Sequence, residues 1–205
     1  FDLMTESVLK DKTLKEKFKN IKKIYFSRRK FGKAVATEFG EEYIEQCFNQ
    51  NGYESLGPET LTLREQIYVW NHAEAIACMN GTIPLNVVFC KNEKLKLTIL
   101  NKMSIYHKNP YIYLYMRNIQ AEFIDIYKEP LKGYPKSLGE GPYLIKTGKE
   151  FFHYCQREKF EIPYTGMKLK FYDLKQEIRY YLCVIGIGNK IRRVGSYIKR
   201  KMLRR

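Results

Sequence analysis

The sequence predicts an α/β fold, a Rossmann-like doubly wound parallel sheet with a helical extension at its C-terminal end. Three observations carry that reading. Short apolar runs of strand length alternate with amphipathic segments over residues 21–128, the pattern of βαβ units stacked into an open sheet covered on both faces. Turn pairs, Asn51-Gly52, Gly57-Pro58 and Asn80-Gly81, punctuate the alternation. It then stops, and Pro130, Gly133, Pro135, Gly139, Gly141 and Pro142 mark a long loop.

Each element has its own justification. Residues 5–20 are Lys-rich, with Val8, Leu9, Leu14 and Phe18 at helical spacing, and predict a leading helix. Residues 21–26 predict the first strand, ending in Ser27-Arg28-Arg29-Lys30. Tyr43, Ile44, Cys47 and Phe48 form the stripe of a helix over 41–50, stopped by Asn51-Gly52. A short strand over 53–56 follows, then a helix capped by Thr60 or Thr62 with Leu63, Ile67 and Trp70 on its apolar face. Residues 74–79 predict a buried strand and 83–90 a helix with Pro84 in its first turn. Strands over 95–100 and 121–127 flank a helix opened by Asn109-Pro110. Capping boxes at Thr147-Gly148-Lys149-Glu150 and at Asp173-Leu174-Lys175-Gln176 predict two further helices, the second carrying Leu174, Ile178, Leu182 and Ile185 on one face. The expected units are a leading helix over 1–20, a Rossmann-like domain over 21–128, a linker and helical extension over 129–188, and a basic amphipathic tail over 189–205.

Composition narrows the function. Thirty-seven basic against 22 acidic residues give a net charge of +15 over 205 residues, so the expected partners are anions. An apolar content of 44% excludes collagen-like and wholly disordered classes. No apolar run approaches the roughly 20 residues that span a bilayer. Five cysteines without a C-x-x-C pair argue against a disulfide framework and a zinc knuckle, and fit a reducing, cytoplasmic setting. The start at Phe1, with no initiator Met or signal peptide, reads as a fragment of a longer chain.

In an open α/β sheet, ligands sit beyond the carboxyl ends of the strands, where strand order reverses. That rule selects Ser27-Arg28-Arg29 after the first strand and Asn80-Gly81-Thr82 after the third. Gly81 permits close backbone approach, the helix expected from Ile83 points free N–H groups at the crevice, and an arginine fork can clamp a phosphate. A diphosphate site is expected there. The fingerprints of NAD and P-loop sites are missing, and His72, His107 and His153 show no metal-site spacing, so neither cofactor nor metal is expected.

The motif order resembles glycosyltransferase family 61. It is carried by the run Lys23-Ile24-Tyr25-Phe26-Ser27-Arg28-Arg29-Lys30, by Asn51-Gly52-Tyr53-Glu54, by Leu61-Thr62-Leu63-Arg64-Glu65-Gln66-Ile67, and by Ala73-Glu74-Ala75-Ile76 with Gly81-Thr82 and Asn86-Val87-Val88-Phe89. The resemblance covers about residues 21–100 and implies the donor-binding, C-terminal half of a metal-independent inverting transferase of the two-domain GT-B type, using a nucleotide-sugar as substrate. It implies Arg28 as the diphosphate clamp, Glu65 and Gln66 at the sheet's carboxyl edge or bracing the donor loop, and Gly81, Thr82 and Asn86 at the phosphate-facing turn. The catalytic base is unassigned, because in such enzymes it belongs to the N-terminal half. Two positions depart from the family pattern: its His before the Gly is Asn80, and the Thr before its Asn is Leu85. Asn donates a hydrogen bond but carries no proton charge.

The tail adds a separate expectation. Lys190, Arg192, Arg193, Lys199, Arg200 and Lys201, with Arg204 and Arg205, accompany Ile191, Val194, Ile198 and Met202 at helical spacing. That profile suits an anionic membrane surface. The combined expectation is a bacterial enzyme, peripheral on the inner face of the cell membrane, passing a sugar to a glycan or lipid-linked glycan acceptor for surface polysaccharide; nucleic acid is not expected as a partner. The alternative is a noncatalytic Rossmann-like module binding nucleic acid or anionic membrane.

Overall fold

The structure is a computed structural model that describes residues 1–105, 107–128 and 141–186. The tail residues Lys190, Arg192, Arg193, Lys199, Arg200 and Lys201 and most of the expected 129–142 loop lie outside the described residues.

Two helices, α1 (Asp2–Leu9) and α2 (Lys12–Phe18), stand where one was expected. Asp11 divides them, because its carboxylate accepts the Thr13 and Leu14 amides and caps a new helix. Strand β1 (Lys23–Phe26) leads through a short helix α3 (Gly32–Thr37) into β2 (Glu38–Phe39), and α4 (Glu41–Gln50) returns to β3 (Glu54–Leu56). Helix α5 (Leu63–His72) opens with a complete capping box between Thr62 and Glu65, and β4 (Ala75–Met79) follows. The helix expected over 83–90 is instead a 3-10 segment, Ile83–Phe89. Val87-Val88 are poor α-helix formers, and Pro84, in the first turn, is compatible with either kind of helix. Strand β5 (Lys96–Asn101), α6 (Asn109–Met116) and β6 (Ala121–Asp125) complete the alternation.

The five strands pair in parallel in the order β3-β1-β4-β5-β6. Strand order therefore reverses at β1 and β4, whose carboxyl ends flank the switch point. All five residues of β4 are buried, as the centre of a sheet covered on both faces requires. Period-two alternation divides the core. Ile24, Phe26, Ile76, Cys78, Leu97 and Ile99 pack toward α1, α2, α5 and the 3-10 segment, with the Phe26 ring stacked on Trp70 at 5.8 Å. Tyr25, Ala75, Ala77, Met79, Leu100 and Ile124 pack on the opposite face against Phe48 of α4 and against Phe151, Tyr154 and Cys155 from beyond the sheet.

Beyond the sheet lie β7 (Tyr143–Leu144), α7 (Lys149–Arg157) and α8 (Gly166–Val184). Both extension helices start differently from expectation. Gly148, not Thr147, is the N-cap of α7, without a side-chain cap bond. Helix α8 begins two turns before Asp173, which sits inside it beside Lys146. Strand β7 pairs in parallel with β2, Glu38 opposite Tyr143 and Phe39 opposite Leu144. Tyr180 of α8 closes over that pair, its ring edge-on to Phe39. Gly40, at φ +108°, is required where β2 leaves this pair, because a Cβ there would lie 2.1 Å from the Ile145 carbonyl oxygen. Among the described residues no helix is long and apolar enough to cross a membrane.

Candidate active site at the switch point

The loops after β1 and β4 meet. Ser27 donates its amide to the Leu56 carbonyl, prolonging the sheet by one residue, and its Oγ accepts the Arg29 amide at 3.2 Å to shape the turn. The Arg28 amide donates to Glu41 Oε1 at 2.8 Å. This tether to the first turn of α4 fixes the backbone from which the Arg28 side chain reaches into the crevice. A Cβ on Gly81 would stand 3.9 Å from Arg28 Nη1, so the two loops approach with room between them.

A cleft of about 330 Å³ opens there, lined by Arg28, Phe31, Lys33, Glu38, Gly81, Thr82, Lys102, His107 and Tyr143 among others. Its size falls at the lower end of small-molecule sites. Its floor is a three-charge cluster. Glu38 Oε1 receives Lys102 Nζ at 2.7 Å and Arg28 Nη2 at 3.1 Å. The Glu38 and Lys102 side chains are each only 3% exposed. Burial pulls the Lys102 ammonium below its ordinary range, and Glu38 pulls it back up. The Lys102 ammonium also sits 4.1 Å from the Tyr143 ring centre, and the Arg28 guanidinium 5.6 Å from that of Phe31. Two cations thus share one carboxylate at the base of the cleft, with Lys33 among the other lining residues. Glu38 Oε2 and Arg28 Nε are buried without a hydrogen-bond partner among the described residues.

The other residues singled out from the sequence take different places. Arg29 turns toward α4, pairing with Glu45 at 2.7 Å and Glu42 at 3.5 Å, so the arginine fork at the cleft is Arg28 alone. Glu65 is committed to the Thr62 capping box and to Lys17, and those bonds hold its carboxyl down at about 2. Gln66 braces the loop before α5: its amide nitrogen donates to the Pro58 and Leu61 carbonyls, and its oxygen accepts from Asn86 at 2.7 Å. Asn86 is therefore the partner of Gln66 rather than part of the cleft lining. Thr82 does line the cleft.

Asn80 is buried and faces along the sheet edge. Its amide donates to Asn101 Oδ1, Asn101 donates to Asp125 Oδ1, and Tyr127 donates its hydroxyl to Asp125 Oδ2. This polar ladder ties the carboxyl ends of β4, β5 and β6 together beneath the cleft. Glu41, behind the loop, accepts from both the Arg28 amide and the Tyr25 hydroxyl. Burial raises its carboxyl to about 7.

Sequence reasoning passed over Lys102 and Glu38. Lys102 was within reach of the same rule that selected Arg28 and Gly81, since it follows β5 directly. Glu38 sits on a two-residue strand too short to leave a period.

Residues 3–97 match the family Glycosyltransferase 61. That segment, a little under half of the chain, is similar to glycosyltransferase family 61. No curated protein and no solved structure matches it significantly. The glycosyltransferase 61 segment supplies Arg28, Glu38, Gly81 and Thr82, whereas Lys102, His107 and Tyr143 come from beyond it. Among the described residues no group of three or more His, Cys, Asp or Glu side chains is placed to hold a metal ion.

Proposed function

We propose that this chain is the donor-binding half of an inverting, metal-independent glycosyltransferase that seats the diphosphate of a nucleotide-sugar in the switch-point cleft. The convergence of Arg28 and Lys102 beside the Gly81-Thr82 turn carries the reading. In sugar transfer the acceptor hydroxyl attacks the anomeric carbon, the bond from that carbon to the diphosphate oxygen breaks, and the departing nucleoside diphosphate gains charge. Fixed cations at that oxygen stabilise the transition state without reorganising. The acceptor proton passes to a carboxylate on the facing half of such an enzyme. A glycan or lipid-linked glycan of a bacterial surface polysaccharide suits the acceptor role.

The experiment is calorimetric titration with uridine diphosphate. Arg28→Ala is expected to weaken binding by about 1.5–3 kcal/mol, the scale of a charge-assisted hydrogen bond. Equal affinity in a folded variant removes Arg28 from the site. A noncatalytic nucleotide-binding module is favoured by one observation, the engagement of Asn80 in the ladder, where the family pattern has a His. Binding of uridine diphosphate without turnover by the whole enzyme supports that second reading.

A further inference from the structure

Helix α8 carries its apolar stripe on the outside. Met167, Phe171, Leu174, Ile178, Tyr181 and Ile185 all stand exposed, from 41% at Tyr181 to 65% at Phe171. They recur every third or fourth residue without interruption, one continuous seam along the helix and its C-cap. The side facing the protein buries Gln176 and Tyr180 and packs Leu169, Tyr172, Cys183 and Val184 against the core. A contiguous apolar strip of this kind marks an interaction surface.

The charges beside the strip decide what covers it. Lys168, Lys170 and Lys175 are exposed. At about 100° per residue they flank the strip on both sides. The nearest carboxylates are neutralised: Glu177 takes Lys128 at 2.7 Å and Lys146 at 2.9 Å, and Asp173 faces Lys146 at 3.9 Å. A second copy is a poor occupant. Paired in parallel it sets Lys170 against Lys175, and paired antiparallel it sets Lys175 against Lys168 or against itself. Residues 187–205 of this chain are equally poor, with eight basic and no acidic residues. An anionic surface meets all of these charges favourably.

We propose that the outer face of α8 docks the protein on an anionic lipid surface, the apolar strip entering the acyl boundary and the lysines engaging the headgroups. The proposal is independent of the donor site.

The test is cosedimentation of the full chain with vesicles of phosphatidylserine and phosphatidylcholine, against phosphatidylcholine alone. The wild type is expected to prefer the anionic vesicles. Phe171→Glu with Ile178→Glu, at positions already exposed, is expected to lower the partition constant at least about tenfold. Each lysine changed among Lys168, Lys170 and Lys175 to Gln is expected to cost about fivefold, and added salt to weaken the attraction. As a second readout, Ile178→Trp is expected to shift its emission to the blue on anionic vesicles. Binding unchanged in the double Glu variant overturns the proposal and leaves lipid binding elsewhere in the chain. Failure of the wild type to bind vesicles also overturns it; accompanying self-association that the Glu variant abolishes would identify a second copy, and binding to polyglutamate would identify an acidic protein.

Discussion

Replacing Glu38 by Gln keeps the shape of the cleft floor and removes its negative charge. In the wild type, Lys102 and Arg28 converge on one oxygen of this carboxylate at 2.7 and 3.1 Å. Without it, two largely buried cations lose their common counter-charge, and breaking a buried pair from one side costs up to about 3–5 kcal/mol. Gln retains one acceptor, so a loss of about 2–3 kcal/mol is expected. The opposite effect is expected on anion binding. A unit charge at roughly 6 Å from a phosphate, in an effective dielectric of about 20, is worth about 3 kcal/mol, and ionic screening reduces that further. A gain of about 1–2 kcal/mol, or roughly 5- to 30-fold, in affinity for uridine diphosphate is therefore expected. Urea unfolding followed by the single tryptophan, Trp70, which is fully buried, reads the first quantity, and calorimetry the second. Saturating uridine diphosphate is expected to narrow the stability gap, because the ligand replaces the missing charge. A variant that is less stable yet binds no more tightly would falsify the placement of the diphosphate between Arg28 and Lys102.

Three other outcomes are expected. Glu41 has its carboxyl raised from 4.5 to about 7 by burial. The folded state therefore holds a proton that the unfolded chain releases, and the associated stability is complete below about pH 4.5 and lost as pH rises through 7. Glu41→Gln is expected to gain on the wild type over that window, by up to about 3 kcal/mol in urea midpoints measured at several pH values; parallel curves would contradict it. Gly40→Ala forces a Cβ into the Ile145 carbonyl and is expected to cost more than about 3 kcal/mol, with a near-normal melting temperature counting against the β2–β7 geometry. Asn101→Leu strands the Asn80 amide and removes one of the donors to Asp125, and is expected to cost about 1–3 kcal/mol, whereas an unchanged unfolding midpoint would show that the ladder contributes nothing.

The sheet was legible because a parallel sheet writes itself as buried runs separated by amphipathic segments. The loops of Arg28 and Gly81 were legible because both follow strands at the reversal of order. Thr62 and Glu65 spelled the start of α5, but the same pattern at Thr147 did not produce a cap. Four residues of sequence cannot say whether the backbone before them is extended in the required way. Helix α8 resisted for a different reason. Its apolar seam gave the periodicity correctly, yet the buried side is the one holding Gln176 and Tyr180, and period alone does not say which side of a helix meets the protein. Arg29 and Glu65 looked like site residues beside Arg28 and Gln66, and only three-dimensional neighbours reveal that each is occupied by α4 or α2.

Strand β2 has consequences for what counts as the smallest working piece of this protein. It holds Glu38 in place by pairing with Tyr143 and Leu144, and Tyr180 seals the pair from outside. The family segment ends at residue 97 and the sheet at Asp125, so the carboxylate that balances the cleft is anchored by chain that belongs to neither. A fragment trimmed to the sheet would retain the five strands, the switch point and Arg28, and lose the partner that keeps Glu38 from wandering. Inheritance and mechanics divide the molecule at different places, and grafting this cleft onto another scaffold requires carrying the extension with it.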